Sequence, residues 1–454
     1  MRIVITSITV AALAVLTALS ITLLPYYDDK SGTLLPLPIV TAVLWVLFGL
    51  AFVLLRRVPA RAAIVLVIAG SVAIGGAAMA GPPNTSTDSA RYAWDGIVQA
   101  AGISPYDHAP ADPALKDLRP EWLFPAAVDG ECTGARIMTV KQDDTVLCTA
   151  INRAKVTTIY PPASELMFAA VRLVTGPSPQ YWPMQLFGLL VSLATTGILL
   201  RALIARGRDP RWAALWGWCP LIATEAVTNS HIDVLGAVLV LGATLLASSK
   251  RPWLAGVALG AAISAKLIPA LGSVALLRRD PLKVIAGAVG VFVLLYVPYV
   301  LASGIDVIGY LPGYLSEEGY SSGTRFIIAS TVLPGISATI FSLALLAALA
   351  VVVWFKANPD DPWLAQLVMI GGALIIVTPR YPWYALLLIP MIAMTGRWEW
   401  LAVPLALTER LLFPPVEWAR VSMAIAVVVI VMVSIRRRRT PGIRGNQGNL
   451  VTER

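Results

Sequence analysis

Long apolar runs separated by short polar segments make up most of the chain. A helix needs roughly 20 apolar residues to cross a bilayer, and these runs are too long and too uniformly apolar for barrel strands. Because hydrocarbon contains no water to satisfy backbone groups, the runs are predicted to be α-helices. The predicted spans lie near residues 3–24, 35–55, 62–80, 181–200, 212–228, 232–248, 282–303, 328–355, 363–379, 381–396, 398–413 and 418–435. The first is expected to be a retained span, since it is longer than a signal-peptide core and lacks a clear cleavage site.

The apolar run 252–277 departs from this pattern, because Lys266 and Pro269 interrupt it and a basic pair flanks each end. Irregular backbone at membrane depth is tolerated only where protein or a cavity covers it. We therefore predict a re-entrant pair of half-helices with Lys266 at its tip; two closely spaced ordinary spans are the alternative. The predicted fold class is an all-α polytopic membrane protein of about 12–13 spans.

Two polar segments, 81–180 and 303–326, are predicted to lie outside the cell. The first has more acidic than basic residues, the opposite bias to the basic loops that mark the cytoplasm. It also contains Cys132 and Cys148, and a disulfide that closes so short a loop would stabilise the segment by about 3 kcal/mol in an oxidising compartment. The third cysteine, Cys219, lies in an apolar run and is expected to be buried.

Composition agrees with a membrane protein. Mean hydropathy is +0.75 and only 13% of residues are charged, against about 25% in soluble domains. The net charge of +9 arises from arginine and lysine at the span ends, as the positive-inside rule predicts, so no nucleic-acid partner is expected. The tail 436–454 is predicted to be a polar basic segment that contacts anionic lipid.

The segment Thr87–Tyr106 (TDSARYAWDGIVQAAGISPY) follows the third span and offers the strongest candidate chemistry. Tyr92, Asp95 and Gln99 share one helical face, which predicts an amphipathic helix lying on the membrane surface. Ser86, Thr87 and Asp88 are candidate N-terminal caps of this helix. Asp88 is also a candidate catalytic carboxylate where the membrane meets water, and the two roles do not exclude each other.

Further candidates follow along the chain. IYPPASELMFAAVRLV, which contains Tyr160, is a second outer amphipathic stretch, and NSHIDVLG puts His231 and Asp233 at an outer junction, where ionisable residues are unfavourable and suggest function. A histidine and an aspartate two residues apart do not face one way on a helix. For His231 the alternative is an interfacial hydrogen bond to a neighbouring loop.

Two arginines complete the outer set. TPRYPWY frames Arg380 with Tyr381, and the alternative to a functional role is a snorkelling arginine in an aromatic belt. Arg325 is the penultimate residue of the loop SEEGYSSGTRF (Ser316–Phe326), which is predicted to be a mobile lid or an ordinary exposed loop. Carboxylates, arginines and a histidine above a helical bundle suit glycosyl transfer, which needs a base for the acceptor hydroxyl and cations for a departing phosphate.

These motifs together give the chain a family resemblance. TDSARYAWDGIVQAAGISPYDHAP, TIYPPASELMF, NSHIDVLG, AKLIPAL and TPRYPWY span residues 62–396. In this region the chain resembles the GT-C superfamily of membrane glycosyltransferases, and within it the actinobacterial polyprenol-phosphate-mannose-dependent mannosyltransferases. The resemblance implies a GT-C-like helical bundle whose large first outer loop carries amphipathic helices. It also implies two additional spans in 1–61, a core in 62–396, C-terminal spans in 397–435 and a cytoplasmic tail in 436–454.

The resemblance further implies an inverting mannosyltransferase of the plasma membrane. It would transfer the sugar from a β-linked polyprenyl phosphate to a hydroxyl of a glycolipid or lipoglycan on the extracytoplasmic face. No cofactor is expected. The outer face carries no Asp-x-Asp pattern, and the acidic pairs at 28–29 and 143–144 have no Asn or His beside them, so the transfer is expected to be independent of a metal ion. Asp88 matches the family's catalytic aspartate, with Asp28 or Asp29 as rivals. The donor phosphate would bind Arg380, His231 and Arg325. Substrate-binding candidates are Arg91, Tyr92, Asp95, Tyr160, Asp233, Lys266 and Tyr381.

Other functions remain open at this stage. A transporter or flippase for a polyprenyl-linked sugar would place ionisable residues along a path through the bundle, and Glu225, Asp233, Lys266 and Arg410 are candidates for one. A scaffold protein of the cell envelope would use the outer loop as a docking surface. Within the enzyme interpretation, an arabinosyltransferase with the same mechanism is the alternative to a mannosyltransferase.

Overall fold

The computed structural model describes residues 1–24, 36–142 and 145–439. These residues form a helical bundle with a single two-stranded hairpin among them, which confirms the all-α polytopic prediction. The rival bases Asp28 and Asp29, the acidic pair at 143–144 and the tail beyond residue 439 lie outside the described residues.

The secondary structure is as follows. The α-helices are α1 (Arg2–Leu23), α2 (Pro36–Leu55), α3 (Ala60–Ala77), α4 (Asp88–Ala100), α5 (Pro162–Thr175), α6 (Trp182–Ala205), α7 (Ala214–Gly217), α8 (Asp233–Ser248), α9 (Pro252–Ala265), α10 (Ser273–Leu276), α11 (Pro281–Ser303), α12 (Leu311–Glu317), α13 (Ile336–Lys356), α14 (Trp363–Val377), α15 (Ile389–Thr395), α16 (Ala402–Leu412) and α17 (Val416–Arg439). Strands β1 (Met138–Gln142) and β2 (Thr145–Thr149) pair antiparallel. Short 3-10 turns occupy Pro113–Leu118, Pro210–Ala213, Ile268–Gly272, Gly304–Ile308, Ala329–Thr331, Pro382–Leu387 and Trp398–Leu401, and Ile222–Thr228 is π-helical.

Seven helical segments among the described residues are long and apolar enough to cross a membrane, or eight if the π-helical segment and α8, bent by 112°, count as one span. The other predicted spans are shorter or divided into a 3-10 turn and a short helix. Proline explains several of these breaks, because it removes a backbone donor and clashes with the preceding turn. Pro382, Pro390 and Pro404 all lie in such segments. The span predicted at 328–355 begins later, at Ile336, after Gly335 with a φ of 56°.

The re-entrant segment turns at Lys266, as the sequence predicts. Helix α9 ends there because Lys266 adopts an extended backbone, with φ −158° and ψ 147°, and a 3-10 turn and α10 follow. Pro252 and Arg279, at the two ends of the segment, line the same small cleft, so the chain returns to the side from which it entered. Gly256 and Gly260 allow α9 to pack against the backbone of α11: a Cβ at either would lie within 2.3 Å of a carbonyl oxygen.

The connection from α3 to α6 folds over one end of the bundle. One face of α4 packs on α5, where the Tyr92 and Phe168 rings stack 4.6 Å apart. The other face, with Trp94 and Val98, packs into a second core with Leu123 and its neighbours. The prediction that this helix lies on the membrane surface is therefore wrong: the rest of the outer segment covers its second face, and the helix is buried on both sides.

The segments 81–180 and 303–326, which are predicted to lie outside the cell, contact each other. The backbone N–H of Tyr310 donates to the carbonyl oxygen of Thr158 at 3.0 Å, and the hydroxyl of Ser303 donates to that of Ser104 at 2.6 Å. A disulfide joins Cys132 to Cys148 in β2, and Cys219 is free and buried. The loops at 81–180 and 303–326 thus form one layer above the helices.

Candidate functional site

Asp88 is the first residue of α4 and is not the cap of that helix. Its own backbone N–H donates to the hydroxyl of Ser86 at 3.1 Å. Because the Asp88 side chain does not cap the helix, its carboxylate is available to other partners. The side chain is 18% exposed. Asn152 Nδ2 donates to Asp88 Oδ1 at 2.8 Å and to the hydroxyl of Thr87 at 3.0 Å. The carboxylate is thereby fixed at one oxygen and accessible to a ligand.

His231 lies beside the second oxygen of this carboxylate. Its Nδ1 is 3.7 Å from Asp88 Oδ2 and 3.4 Å from the hydroxyl of Tyr92. The imidazole ring is fully buried and stacks on Trp383 at a centroid distance of 3.7 Å. Trp383 in turn stacks on Tyr381 at 4.4 Å. The aromatic stack therefore fixes the plane of the ring and leaves Nδ1 facing Asp88.

Glu225 faces the opposite edge of the imidazole ring, with its Oε2 atom 3.3 Å from His231 Nε2. From the sequence, Glu225 is a candidate only for a transport path. The sequence does contain one indication of a role for Glu225, since it is an acidic residue in an apolar run, six positions before His231. Two residues six positions apart do not meet on a regular helix, so the spacing alone does not predict their contact. The π-helical segment and the turn that follows it bring the two residues into contact.

Asn229 connects this group to the loop before Asp88. Its Oδ1 accepts from the backbone N–H groups of Asn84 at 3.0 Å and Thr85 at 3.2 Å. Its Nδ2 donates to Glu225 Oε2 at 3.3 Å. The turn that contains His231 and the loop that contains Asp88 are thus bound to each other by one buried amide.

Asp233 binds a different partner from His231, as the spacing of the two residues predicts. It forms an ion pair with Lys266, whose Nζ lies 5.0 Å from the centre of the Tyr384 ring. The second oxygen of Asp233 is buried and has no hydrogen-bond partner among the described residues. This pair brings α8 and the tip of the re-entrant segment to the same side of the bundle as Asp88.

Two tyrosines complete the wall around Asp88. The ring of Tyr160 meets that of Tyr92 edge-on at 5.0 Å. Burial, and after it the nearby charge of Asp88, raises the pKa of both hydroxyl groups above the usual tyrosine value. Both therefore stay neutral and can donate hydrogen bonds at any physiological pH.

Arg91 and Asp95 lie behind the site and bind each other. Arg91 Nε is 2.8 Å from Asp95 Oδ1, and both residues are buried. Glu165, on α5, accepts from the hydroxyl of Thr158 at 2.6 Å and from Gln99 at 2.8 Å. Burial raises the pKa of both carboxyl groups; the Asp95 charge raises that of Glu165 further, and Arg91 opposes the rise at Asp95. These contacts attach α4 to α5.

The predicted phosphate-binding arginines differ in their surroundings. Arg325 is buried in an ion pair with Glu318, and its Cζ lies 5.2 Å from the centre of the Tyr320 ring. Arg380 is exposed and lies over Tyr381 at 5.8 Å. Its connection to the group around His231 runs through the aromatic stack.

Arg410 is a further cation at this end of the bundle, and from the sequence it is a candidate only for a transport path. It lies on α16 and donates a hydrogen bond to the carbonyl oxygen of Thr378, two residues before Arg380. The described residues contain no group of three or more histidine, cysteine, aspartate and glutamate side chains placed to hold a metal ion.

The arrangement as a whole is a partly exposed carboxylate held by an amide and faced by a buried imidazole, with tyrosine hydroxyls and cations around it. Such a carboxylate can accept a proton from a hydroxyl group. The sequence profile of glycosyltransferase family 87 matches residues 158–385, half of the chain. This region contains His231, Lys266 and Arg380 and begins after Asp88. No curated protein and no solved structure matches the chain significantly.

Proposed function

The chain belongs to glycosyltransferase family 87, and from this premise we propose that it transfers mannose from a polyprenyl-phosphate donor to a hydroxyl of a glycolipid or lipoglycan. The reaction takes place at the extracytoplasmic face of the plasma membrane. Membrane-spanning helices that end beneath the outer layer support a donor carried by lipid. The proposed core, residues 62–396, contains the whole matched region.

The observation that carries the proposal is the pairing of Asp88 with Asn152 on one oxygen and His231 on the other. Asp88 acts as the general base and takes the proton of the acceptor hydroxyl. The acceptor oxygen forms a bond to the anomeric carbon as the bond from that carbon to the phosphate oxygen breaks. Attack from the opposite face inverts a β-linked donor into an α-linked product.

The departing lipid phosphate takes up the electron pair of the broken bond, and fixed positive charge stabilises it in a partly dehydrated site. We assign the positive charge to Arg325 and Arg380, since guanidinium groups bind phosphate oxygens in a forked geometry. His231 joins them as a donor once its Nδ1 has taken up a proton. Release of Arg325 from Glu318 would free its guanidinium for the donor. These side chains supply the cationic stabilisation without a metal ion.

The remaining candidates surround the sugar. The hydroxyls of Tyr92 and Tyr160 donate hydrogen bonds, and Tyr381 presents an aromatic face. Asp233 and Lys266 offer an acceptor and a donor for sugar hydroxyls, and the unpartnered oxygen of Asp233 supports this assignment. Arg91 and Asp95, which bind each other, contribute by fixing the helix that begins with Asp88.

The test is turnover of defined donors by the purified protein in lipid nanodiscs. We expect mannosyl polyprenyl phosphate to be consumed with formation of an α-linked product and free polyprenyl phosphate, and the arabinosyl donor to be poor. Preference for the arabinosyl donor would change the assigned sugar. Movement of the donor between leaflets of proteoliposomes, without bond cleavage, would replace the enzyme with a flippase.

A further inference from the structure

We propose that Glu225 is a positioning residue that fixes the tautomer and orientation of His231, so that Nδ1 faces the reacting groups. This inference rests on the proposed function, because it gives His231 and Asp88 their roles there. Glu225 itself stays outside substrate contact, since it is 3% exposed and separated from Asp88 by the imidazole ring.

Each edge of the ring faces a carboxylate, but the distances and the other neighbours differ. On one edge, Nε2 is buried without an aligned hydrogen bond, and Glu225 Oε2 lies 3.3 Å from it. On the other edge, Nδ1 faces Asp88 Oδ2 at 3.7 Å and the hydroxyl of Tyr92 at 3.4 Å. Trp383 stacks on the ring and fixes its plane.

This arrangement selects one tautomer. A neutral imidazole has one N–H, and the nitrogen that carries it is set by the acceptor beside it. Both ring nitrogens face a carboxylate, and Glu225 Oε2 lies closer to Nε2, at 3.3 Å, than Asp88 Oδ2 lies to Nδ1, at 3.7 Å. The nearer carboxylate is the stronger acceptor, so Glu225 favours the proton on Nε2. Nδ1 then accepts from the Tyr92 hydroxyl and is able to take a proton next to Asp88. A buried carboxylate orients an active-site imidazole in the same way in serine proteases.

The backbone supports the same role. The carbonyl oxygen of Glu225 accepts from the backbone N–H of His231 at 2.8 Å, so one residue holds both the peptide and the ring. Between them, Ser230 adopts a φ of 58°, a conformation that is unfavourable for a residue with a Cβ and that recurs at functional sites. Glu225 also accepts from Asn229, whose amide holds the loop before Asp88.

Nitrogen-15 NMR of labelled histidine tests the inference directly and without catalysis. The chain has two histidines, and His108→Gln leaves His231 as the single signal. In this parent at pH 8 we expect a neutral ring with the proton on Nε2. Glu225→Leu removes the acceptor, so the proton should move to Nδ1, where Asp88 can accept it. A proton on Nδ1 in the parent, or an unchanged Nε2 proton after Glu225→Leu, would overturn the proposal.

Two further variants are needed, one that keeps the volume of the Glu225 side chain and one that serves as a control. Glu225→Gln preserves the side-chain volume and covers the case in which the leucine variant does not fold; its weaker acceptor should give both tautomers, and a single unchanged tautomer would count against the carboxylate. Glu399→Gln is the matched control. Glu399 is equally buried but pairs with Arg397 and Arg437, and the His231 signal should not move.

A double-mutant cycle tests the same inference through enzyme activity, with kcat as the measured quantity. If Glu225 acts through His231, Glu225→Gln should lower kcat about tenfold alone and have no further effect in a His231→Ala background. If the two substitutions lower kcat independently, so that the loss in the double variant is the product of the two single losses, the inference is overturned. An unmodified protein that transfers no sugar would instead refute the proposed function, and the NMR result would still decide the role of Glu225.

Discussion

Asn152 donates a hydrogen bond from Nδ2 to Asp88 Oδ1 at 2.8 Å, across 64 residues of sequence. Asn152 follows β2 and comes four residues after the disulfide-bonded Cys148. The outer segment therefore does more than cover the bundle: its hairpin and disulfide determine where an amide meets the proposed base.

Asp88→Asn should lower turnover by about 10²–10⁴ with the fold intact, because an amide cannot accept the acceptor proton. Donor turnover and the thermal unfolding midpoint are the measurements. Asp107→Asn is the control, since Asp107 is an exposed carboxylate of the same outer segment. If Asp88→Asn retains more than a tenth of the unmodified turnover, Asp88 is not the base and Asp29 is the next residue to test.

Asn152→Ala should reduce kcat by about 10- to 100-fold, since hydrogen bonds to charged groups contribute about 1.5–3 kcal/mol. Asn152→Asp should be worse than alanine because it places a second negative charge against Asp88. We expect the effect in kcat and little change in the affinity for the donor. Asn358→Ala, on an exposed loop elsewhere, is the control, and equal activity of the alanine and aspartate variants would contradict the prediction.

Loss of the disulfide should weaken the site as well as the outer segment. Cys132→Ser with Cys148→Ser should destabilise the segment by about 3 kcal/mol, as expected for a loop of this length, and should lower turnover because β2 leads to Asn152. Alkylation of the unreduced, denatured protein followed by intact-mass analysis should label Cys219 alone. Two or three labels would show that the bridge is not formed in the purified protein.

Arg380→Lys should impair turnover although the charge is kept, because lysine cannot make the forked contact with phosphate oxygens. Arg380→Ala should weaken donor binding as well. Arg119→Lys is a matched control, since Arg119 also lies over an aromatic ring, that of Phe124, at 5.3 Å. If Arg380→Lys behaves like the unmodified protein, Arg380 only snorkels beside its aromatic neighbours.

The buried carboxyl pair predicts a pH dependence of stability. Burial and the Asp95 charge raise the pKa of Glu165 in the folded protein, whereas the unfolded value is about 4.3. The folded state therefore favours the protonated form, and stability falls as pH rises from the unfolded pKa through the raised folded pKa. The thermal unfolding midpoint, measured from acid to neutral pH, should therefore decrease less with pH in the Glu165→Gln variant than in the unmodified protein. An unchanged slope would mean that Glu165 does not titrate in this range.

The sequence by itself determined the features that depend on local composition. The length of the apolar runs predicts an all-α membrane protein, because few backbone conformations satisfy their hydrogen bonds within hydrocarbon. Lys266 and Pro269 marked the turn of the re-entrant segment, and the spacing of His231 and Asp233 showed that they face different partners. Helical periodicity likewise separated the face of α4 that carries Tyr92 from the face that carries Val98.

Only the tertiary structure decided which of these residues meet. Asp88 and His231 are 143 positions apart, and no periodic pattern relates them to each other or to Asn152. Glu225 reaches the imidazole through a π-helical segment, which regular spacing does not anticipate. Arg91 and Asp95 were candidates for substrate binding because they are charged residues in the segment after the third span. In the structure they form an ion pair with each other, because an unpaired buried charge is unfavourable. Local pattern sets which face of a helix is polar, whereas the packing of distant segments sets what that face contacts.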